Sequence, residues 1–244
     1  DRKSLLFFLS IVGPGFITAN VDNDAAGITT YSVAGSHYGY ALLWSFIPML
    51  ALLVIVQEMV ARLGVVTGKG LSDLIREEYG VKTTVLIMLA LLVTNLGTCA
   101  AEFAGLAASL EIFGISRYFS VPLACGVIWL LVVRGNYKMV ERVFLGACII
   151  YFSYILSGFM AKPDWGEVVR HTLTPTFHMD AAFIGLLIGM VGTTISPWMQ
   201  FYQQASIVEK SVRIEDYRFV RWDVILGCVM ASTVAFFIVM ACGA

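Results

Sequence analysis

Four polar residues lie in the middle of the first apolar stretch of this chain, where a charged side chain requires a partner. They are Asn20, Asp22, Asn23 and Asp24, and a Gly-Pro-Gly sequence at 13–15 precedes them. An ionised Asp near the centre of a bilayer is stable only where it faces a cavity, a partner or an ion. Asp22 and Asp24 point to different sides of a helix and are not expected to share one role. The alternative is that these residues form a helix N-cap or an interfacial loop, with the span misplaced.

A later apolar stretch is interrupted in a similar way. Pro197 removes a backbone donor in its middle, and Gly189 and Gly192 reduce the cost of unwinding just before it. The hydroxyl-bearing neighbours are Thr193, Thr194 and Ser196. Alone, this pattern is equally typical of an ordinary proline kink. Two Gly/Pro-interrupted segments, each first in a group of five, instead favour an inverted-repeat transporter whose unwound backbones hold a cation beside an Asp.

The composition is that of a membrane protein. Hydrophobic residues make up 59% of the 244 and charged residues 14%, whereas a soluble domain carries nearer a quarter charged residues. The net charge of −1 gives no electrostatic footprint for nucleic acid. The five cysteines lie in apolar runs without metal-type spacing and are expected to be small buried hydrophobes. We therefore expect the lipid bilayer as the main solvent, no nucleic-acid partner and no resident cofactor.

Seven stretches of the chain have the roughly 20 mostly apolar residues that a bilayer core of about 30 Å requires. They cover residues 5–36, 39–63, 84–113, 119–133, 140–160, 181–208 and 219–244. A short amphipathic segment at 68–80 is predicted to form a helix along the membrane surface. Short polar links join the stretches, so we predict one all-α, polytopic transport domain over residues 1–244.

The positive charges predict how the chain is oriented. All but three of the 16 Lys and Arg residues fall in alternate loops that would share one side of the membrane. The exceptions are Arg117, Lys162 and Arg170. Because cytoplasmic loops are enriched in Lys and Arg, the amino terminus is predicted to be cytoplasmic. This bias argues against a seven-helix receptor, and a prokaryotic plasma membrane is the expected location.

At the two interrupted segments the chain resembles the Nramp family of divalent-metal transporters, and most closely its magnesium-transporting branch. The resemblance lies in Gly-Pro-Gly-Phe at 13–16, Gly-Ser-His-Tyr-Gly-Tyr at 35–40, the surface helix, Glu102, and the segment at 192–197. It implies a leucine-transporter-like fold of two inverted five-helix repeats, with broken helices 1 and 6 and a metal site between them. Residues 1–161 would form the first repeat and residues 181–244 the first two helices of the second. The chain is therefore expected to be a fragment of a protein of ten or eleven helices.

Three departures from the family's pattern bear on the metal. The family's Asp-Pro-Gly-Asn falls on residues 24–27, so the Asp ligand is kept and the Asn ligand becomes Gly27. Its Met-Pro-His falls on residues 196–198, which replaces the thioether with Ser196 and the histidine with Trp198. An acidic residue of the third span becomes Cys99, whereas Glu102 remains. The candidate metal ligands are Asp24, Gly27, Val21, Thr193 and Ser196, and the pathway or gating candidates are Asn23, Glu102, Trp198 and Gln203.

These departures indicate a hard cation. A thioether favours softer transition metals, and its loss leaves oxygen donors. Mg²⁺ prefers octahedral oxygen ligands and often keeps several waters while it contacts one or two carboxylates. We therefore expect import of hydrated Mg²⁺, with Mn²⁺ as a second substrate, by alternating access and with weak or absent proton coupling.

Other interpretations stay open. A proton-coupled Mn²⁺/Fe²⁺ importer is the main alternative, and an intramembrane enzyme is a remote one. For Glu102 the alternative is a hydrogen-bonded structural role, and for Trp198 it is simple space filling. The protein is expected to be a monomer and not an enzyme.

Overall fold

A computed structural model describes residues 23–134, 146 and 148–244 of the chain. Within these ranges every regular element is helical, which confirms the all-α class. The helices are α1 (Ala25–Tyr38), α2 (Phe46–Thr67), α3 (Leu71–Glu111), α4 (Arg117–Arg134), α5 (Phe152–Met160), α6 (Trp165–Leu173), α7 (Ala181–Thr194), α8 (Pro197–Glu209) and α9 (Tyr217–Gly243). Three 3₁₀ turns lie before α2, α5 and α9, at Leu43–Ser45, Cys148–Tyr151 and Ile214–Asp216.

Five helical stretches of the described residues are long and apolar enough to cross a membrane. They are Leu43–Thr67, Leu71–Glu111, Arg117–Arg134, Ala181–Glu209 and Ile214–Gly243, and they correspond to the predicted second, third, fourth, sixth and seventh spans. Much of the predicted first and fifth spans lies outside the described residues, so the count of seven stays a prediction. The described end of the first span is α1, and that of the fifth is α5.

A corner at Gly80 divides α3 into a short helix and a long one. Gly80 has φ 77° and ψ 171°, a backbone conformation that glycine adopts at little cost. The short helix, residues 71–79, is the one predicted at the membrane surface, and the third span follows the corner. The sequence therefore correctly predicted two separate elements here.

The sixth span is broken, as the sequence predicted. α7 ends at Thr194, Ile195 and Ser196 have non-helical backbone angles, and α8 begins at Pro197. Pro197 thus occupies the first position of a helix, where a missing N–H costs little. The chain is therefore unwound just before Pro197, as predicted, and the alternative of a proline kink inside a continuous helix is wrong.

The centre of the molecule is α9, which packs against α1, α2 and α5. Buried side chains of α1, α2, α7 and α9 form one apolar cluster, which includes Tyr31, Phe46, Phe183, Met190 and Val239. A second cluster joins α2, α8 and the first half of α9, and it contains Cys228. Cys99, Cys125 and Cys242 are exposed, so the expectation of buried cysteines is wrong for these three.

Candidate metal-binding site

Asp24 is the N-cap of α1. Its φ and ψ of −76° and 179° are extended, and its side-chain Oδ1 accepts a hydrogen bond of 2.6 Å from the Gly27 N–H. Gly27 is buried, so the Asp24 carboxylate binds a first turn of α1 that is packed against other helices. The alternative interpretation of Asp24 as an N-cap is therefore correct for its local geometry. A capping carboxylate still carries lone pairs that a cation can use.

Glu102 of α3 lies against the same helix start. Its two carboxylate oxygens accept from the Ala25 N–H at 3.1 and 3.2 Å, so this carboxylate lies beside the residue that directly follows Asp24. The amino end of a helix attracts negative charge, because its first N–H groups lack partners within the helix. Two carboxylates this close repel each other in a membrane interior, and a divalent cation relieves that repulsion. The structure therefore brings together two of the residues that the sequence singled out.

A close approach of α3 to α1 at Gly105 makes this contact possible. A Cβ added at Gly105 would lie 2.6 Å from the Cβ of Ala25. Gly105 follows Glu102 by three residues and therefore shares its face of α3. The absence of a side chain at this position allows the Glu102 carboxylate to reach the first turn of α1.

We expect the Gly105→Ala variant to separate Glu102 from Ala25 and to weaken cation binding at this site about tenfold or more. The added methyl group cannot fit at 2.6 Å, so α3 must shift, and small displacements of positioning groups are costly. The Gly97→Ala variant on the same helix is the control, because a Cβ there meets no atom within 4 Å. Equal affinity of the two variants for a divalent cation, measured by titration calorimetry, would contradict this prediction.

α7 runs antiparallel to α1. The Tyr38 hydroxyl, at the end of α1, donates to Asp180 Oδ1 at the start of α7 (3.0 Å), whereas the Tyr31 hydroxyl contacts Thr194 Oγ1 at the end of α7 (2.8 Å). Asp180 also accepts from the Phe183 N–H, and these two hydrogen bonds hold the pKa of this carboxyl below its usual value. The antiparallel pairing places the start of α1, with Asp24, level with the break between α7 and α8.

The break supplies hydroxyl and carbonyl oxygens. The Ser196 hydroxyl donates to the carbonyl oxygen of Thr193 at 3.1 Å. A hydroxyl whose proton is donated still offers its oxygen lone pairs to a cation. Ser196 and Thr193 are each partly exposed, so the break is accessible rather than sealed.

Two cavities adjoin Glu102. The smaller, of about 270 Å³, is lined by Asn95, Thr98, Cys99, Glu102 and Trp198. The larger, of about 730 Å³, extends from Ala25 and Glu102 to Tyr154. Trp198 and Glu102 both line the smaller cavity, and a role for Trp198 in the pathway stays a prediction. Among the described residues no three His, Cys, Asp or Glu side chains cluster as a metal cage, so the cation would depend also on hydroxyl, carbonyl and water oxygens.

Two of the predicted pathway residues lie in helix contacts. Asn23 is buried and its Nδ2 donates to the Ala231 carbonyl oxygen of α9 at 3.3 Å. Gln203 is fully buried and its Nε2 donates to the Gln57 carbonyl oxygen of α2 at 3.3 Å. Both contacts hold the broken helices against their neighbours, and a role in the pathway stays a prediction. Val21, the remaining candidate ligand, lies outside the described residues.

Sequence reasoning missed the contact between Tyr31 and Thr194 and the capping of α1 by Glu102. For Glu102 a signal was present, because an intramembrane acid next to a broken helix has unpaired N–H groups within reach. For Tyr31 the signal was its spacing of seven residues from Asp24, which places both on one face of α1.

Comparisons with family models and with known proteins point to one family. A model described as natural resistance-associated macrophage protein-like (Nramp) matches residues 15–244. The divalent metal cation transporter MntH of Bacillus subtilis is 29% identical over 237 residues, which cover 93% of this chain and 55% of that protein. Its namesake from Verminephrobacter eiseniae is 29% identical over 209 residues, which cover 82% of this chain and 46% of that protein.

The fold is also that of a solved structure. The Eremococcus coleocola manganese transporter, crystallised with an aromatic bis-isothiourea substituted compound, aligns with a TM-score of 0.84 at 22% identity. The alignment covers 98% of this chain and 52% of that one, and it confirms the transporter fold expected from the resemblance. The chain spans about half the length of the relatives it matches.

Proposed function

Since the chain belongs to the Nramp family, we propose that the full-length protein carries divalent metal cations across a membrane. The observation that supports this most is the placement of Asp24 and Glu102 at the start of α1, level with the break between α7 and α8. Carboxylates beside interrupted helices at mid-membrane are typical of cation transport. The related proteins are named as transporters rather than enzymes, which leaves no support for an intramembrane enzyme.

Two cations are candidates. The names of the relatives favour Mn²⁺, since they are called divalent metal cation or manganese transporters. The donor groups of this chain favour Mg²⁺, because Ser196 offers a hard oxygen where the family pattern has a thioether. We therefore propose Mg²⁺ as the preferred substrate, partly hydrated, and Mn²⁺ as the second.

Inward movement would be driven by the membrane potential, with weak or no proton coupling. For a divalent cation this potential is worth about 4.6 kcal/mol per 100 mV, twice the value for a single charge. Trp198 and Cys99 line the cavity beside Glu102, at the two positions where the family pattern has a histidine and an acidic residue. We further propose a plasma-membrane location, a cytoplasmic amino terminus and a single domain of two repeats.

The function is tested by uptake into proteoliposomes that contain the protein at its full natural length, with a Mg²⁺-sensitive dye and a pH dye in the same vesicles. The expected result is entry of Mg²⁺ that follows the imposed voltage and moves no protons. Entry of Mn²⁺ alone with matching acidification would replace the proposal with a proton-coupled manganese importer. Entry of neither ion would overturn transport of divalent cations.

We expect the Ser196→Met variant to shift the ratio of Mn²⁺ to Mg²⁺ uptake by about tenfold toward Mn²⁺, which equals about 1.4 kcal/mol. A thioether is a poor ligand for Mg²⁺ and a good one for softer metals. Ser153→Met is a matched control, because the Ser153 hydroxyl also donates to the carbonyl three residues earlier but lies on the exposed face of α5. An unchanged ratio in the Ser196 variant would show that this oxygen does not contact the ion.

A further inference from the structure

Tyr31 lies on the face of α1 that carries Asp24 and Gly27. The spacing from Asp24 is seven residues, or about two helical turns. Side chains on a helix lean toward its amino end, so the Tyr31 ring extends from its own turn toward the Asp24 end. Its side chain is 1% exposed and packs near the Phe46 ring, with a centroid separation of 5.9 Å.

The hydroxyl groups of Tyr31 and Thr194 form a hydrogen-bond chain that continues to the Met190 carbonyl oxygen. Thr194 Oγ1 donates its proton to the Met190 carbonyl oxygen at 2.7 Å. Either hydroxyl can donate in the 2.8 Å contact between the two oxygens, and a Thr194 proton held by Met190 makes Tyr31 the donor, because a threonine hydroxyl has one proton. Tyr31 thus binds the last residue of α7, directly before the break.

This contact is isolated from solvent. Thr194 is 4% exposed and Met190 is fully buried, so water cannot easily replace a lost partner. Loss of a buried hydrogen bond costs folding free energy, because the remaining hydroxyl is left without a partner, whereas loss of the same bond at a surface costs little. The Tyr31–Thr194 contact therefore constrains where α7 can end relative to α1.

We propose that Tyr31 is a positioning residue for the cation site. Its hydroxyl fixes the end of α7 against α1 and so holds the ligands of the two helices at the right distance. Asp24 caps the start of α1. Thr193 lies in the last turn of α7, and Ser196 follows its end. The Tyr31–Thr194 hydrogen bond joins α1 to α7 next to the site. It therefore sets the distance between Asp24 and the oxygens of Thr193 and Ser196. This inference rests on the proposed transport function for its effect on cation affinity, but not for its effect on the helix end.

The test uses the full-length protein with Tyr31→Phe, Thr194→Val and the double variant, which remove one or both hydroxyls at nearly constant volume. We expect each single variant to raise the half-saturating Mg²⁺ concentration about fivefold, the loss expected for one buried hydrogen bond, with the maximal rate within about twofold. The double variant should be no worse than either single one, since both remove the same bond. Hydrogen exchange of the amides at 190–196 should accelerate in all three.

Thr30→Val is the matched control, because the Thr30 hydroxyl donates only within α1, to the Ala26 carbonyl oxygen, and this variant should resemble the wild type. A variant that merely folds less well loses maximal rate and keeps its half-saturation. That outcome, additive effects in the double variant, or unchanged exchange at 190–196 would each overturn the proposal. If the wild type moves no divalent cation, the proposed function fails, and hydrogen exchange alone then decides whether Tyr31 fixes the end of α7.

Discussion

Replacing Asp24 with Asn is expected to abolish cation uptake while the fold stays intact. Asn is as good an N-cap as Asp, so the hydrogen bond from the Gly27 N–H to Oδ1 persists and only the charge is lost. Substitution of groups that merely support a ligand costs about 10–100-fold in metal affinity. Loss of a carboxylate ligand should cost at least about 100-fold, measured as the initial rate of Mg²⁺ or Mn²⁺ entry into vesicles.

Asp180→Asn is the matched control for this prediction. Asp180 is also an N-cap, at the start of α7, and it accepts from the Phe183 N–H at 2.7 Å. It lies at the opposite end of α7 from the break, so its charge should not matter for the cation. Uptake by the Asp24 variant within a few-fold of wild type, or an equal loss in both variants, would mean that Asp24 serves only as a cap.

Replacing Gly35 with Ala is expected to destabilise the protein strongly. A Cβ at Gly35 would clash with the Val239 carbonyl oxygen and lie 2.9 Å from the Cys242 Cβ, both in α9. The backbone of α9 cannot yield locally, so α1 and α9 must separate in the centre of the protein. Overpacking in a core costs typically about 1–3 kcal/mol and occasionally more, and we expect the upper end of this range here.

The measurement is the thermal unfolding temperature of the purified protein, taken as the temperature at which half of it no longer elutes as a monodisperse species. Gly185→Ala in α7 is the control, because a Cβ there meets no atom within 4 Å, and it should unfold at or slightly above the wild-type temperature. If the Gly35 variant unfolds at the wild-type temperature, α1 and α9 do not approach as closely as described.

The helices and the break were predictable from the sequence because they depend on local chemistry. Long apolar runs need no partner to be recognised as spans, and glycine at position 80 and proline at position 197 mark the corner and the break directly. Pro197 alone left a kink in a continuous helix and a full break equally open, and the second interrupted segment decided for the break. A proline at the first position of a helix and one in the interior leave the same local sequence pattern.

The parts that were missed depend on which helices meet. The exposed Cys99 and the buried Cys228 both lie in apolar runs, and in a membrane protein apolar sequence does not distinguish a face toward lipid from one toward protein. The partners of Asn23 and Gln203, which are backbone carbonyls of α9 and α2, likewise carry no sequence signal. Asp24 and Glu102 were found because charge in an apolar run is rare enough to be informative by itself.

The hydrogen bond from Asn23 to the Ala231 carbonyl joins residues 208 positions apart, and this has a consequence for synthesis. Chains grow at about 5–20 residues per second, so Asn23 precedes its partner by on the order of 10 to 40 s. The Tyr31–Thr194 contact, with a separation of 163 residues, is also made late. During insertion Asp24 can bind the Gly27 N–H at once, because that donor is three residues away. In a newly made chain the Asp24 carboxylate is therefore bound by the Gly27 N–H until α7 and α9 have been synthesised and inserted.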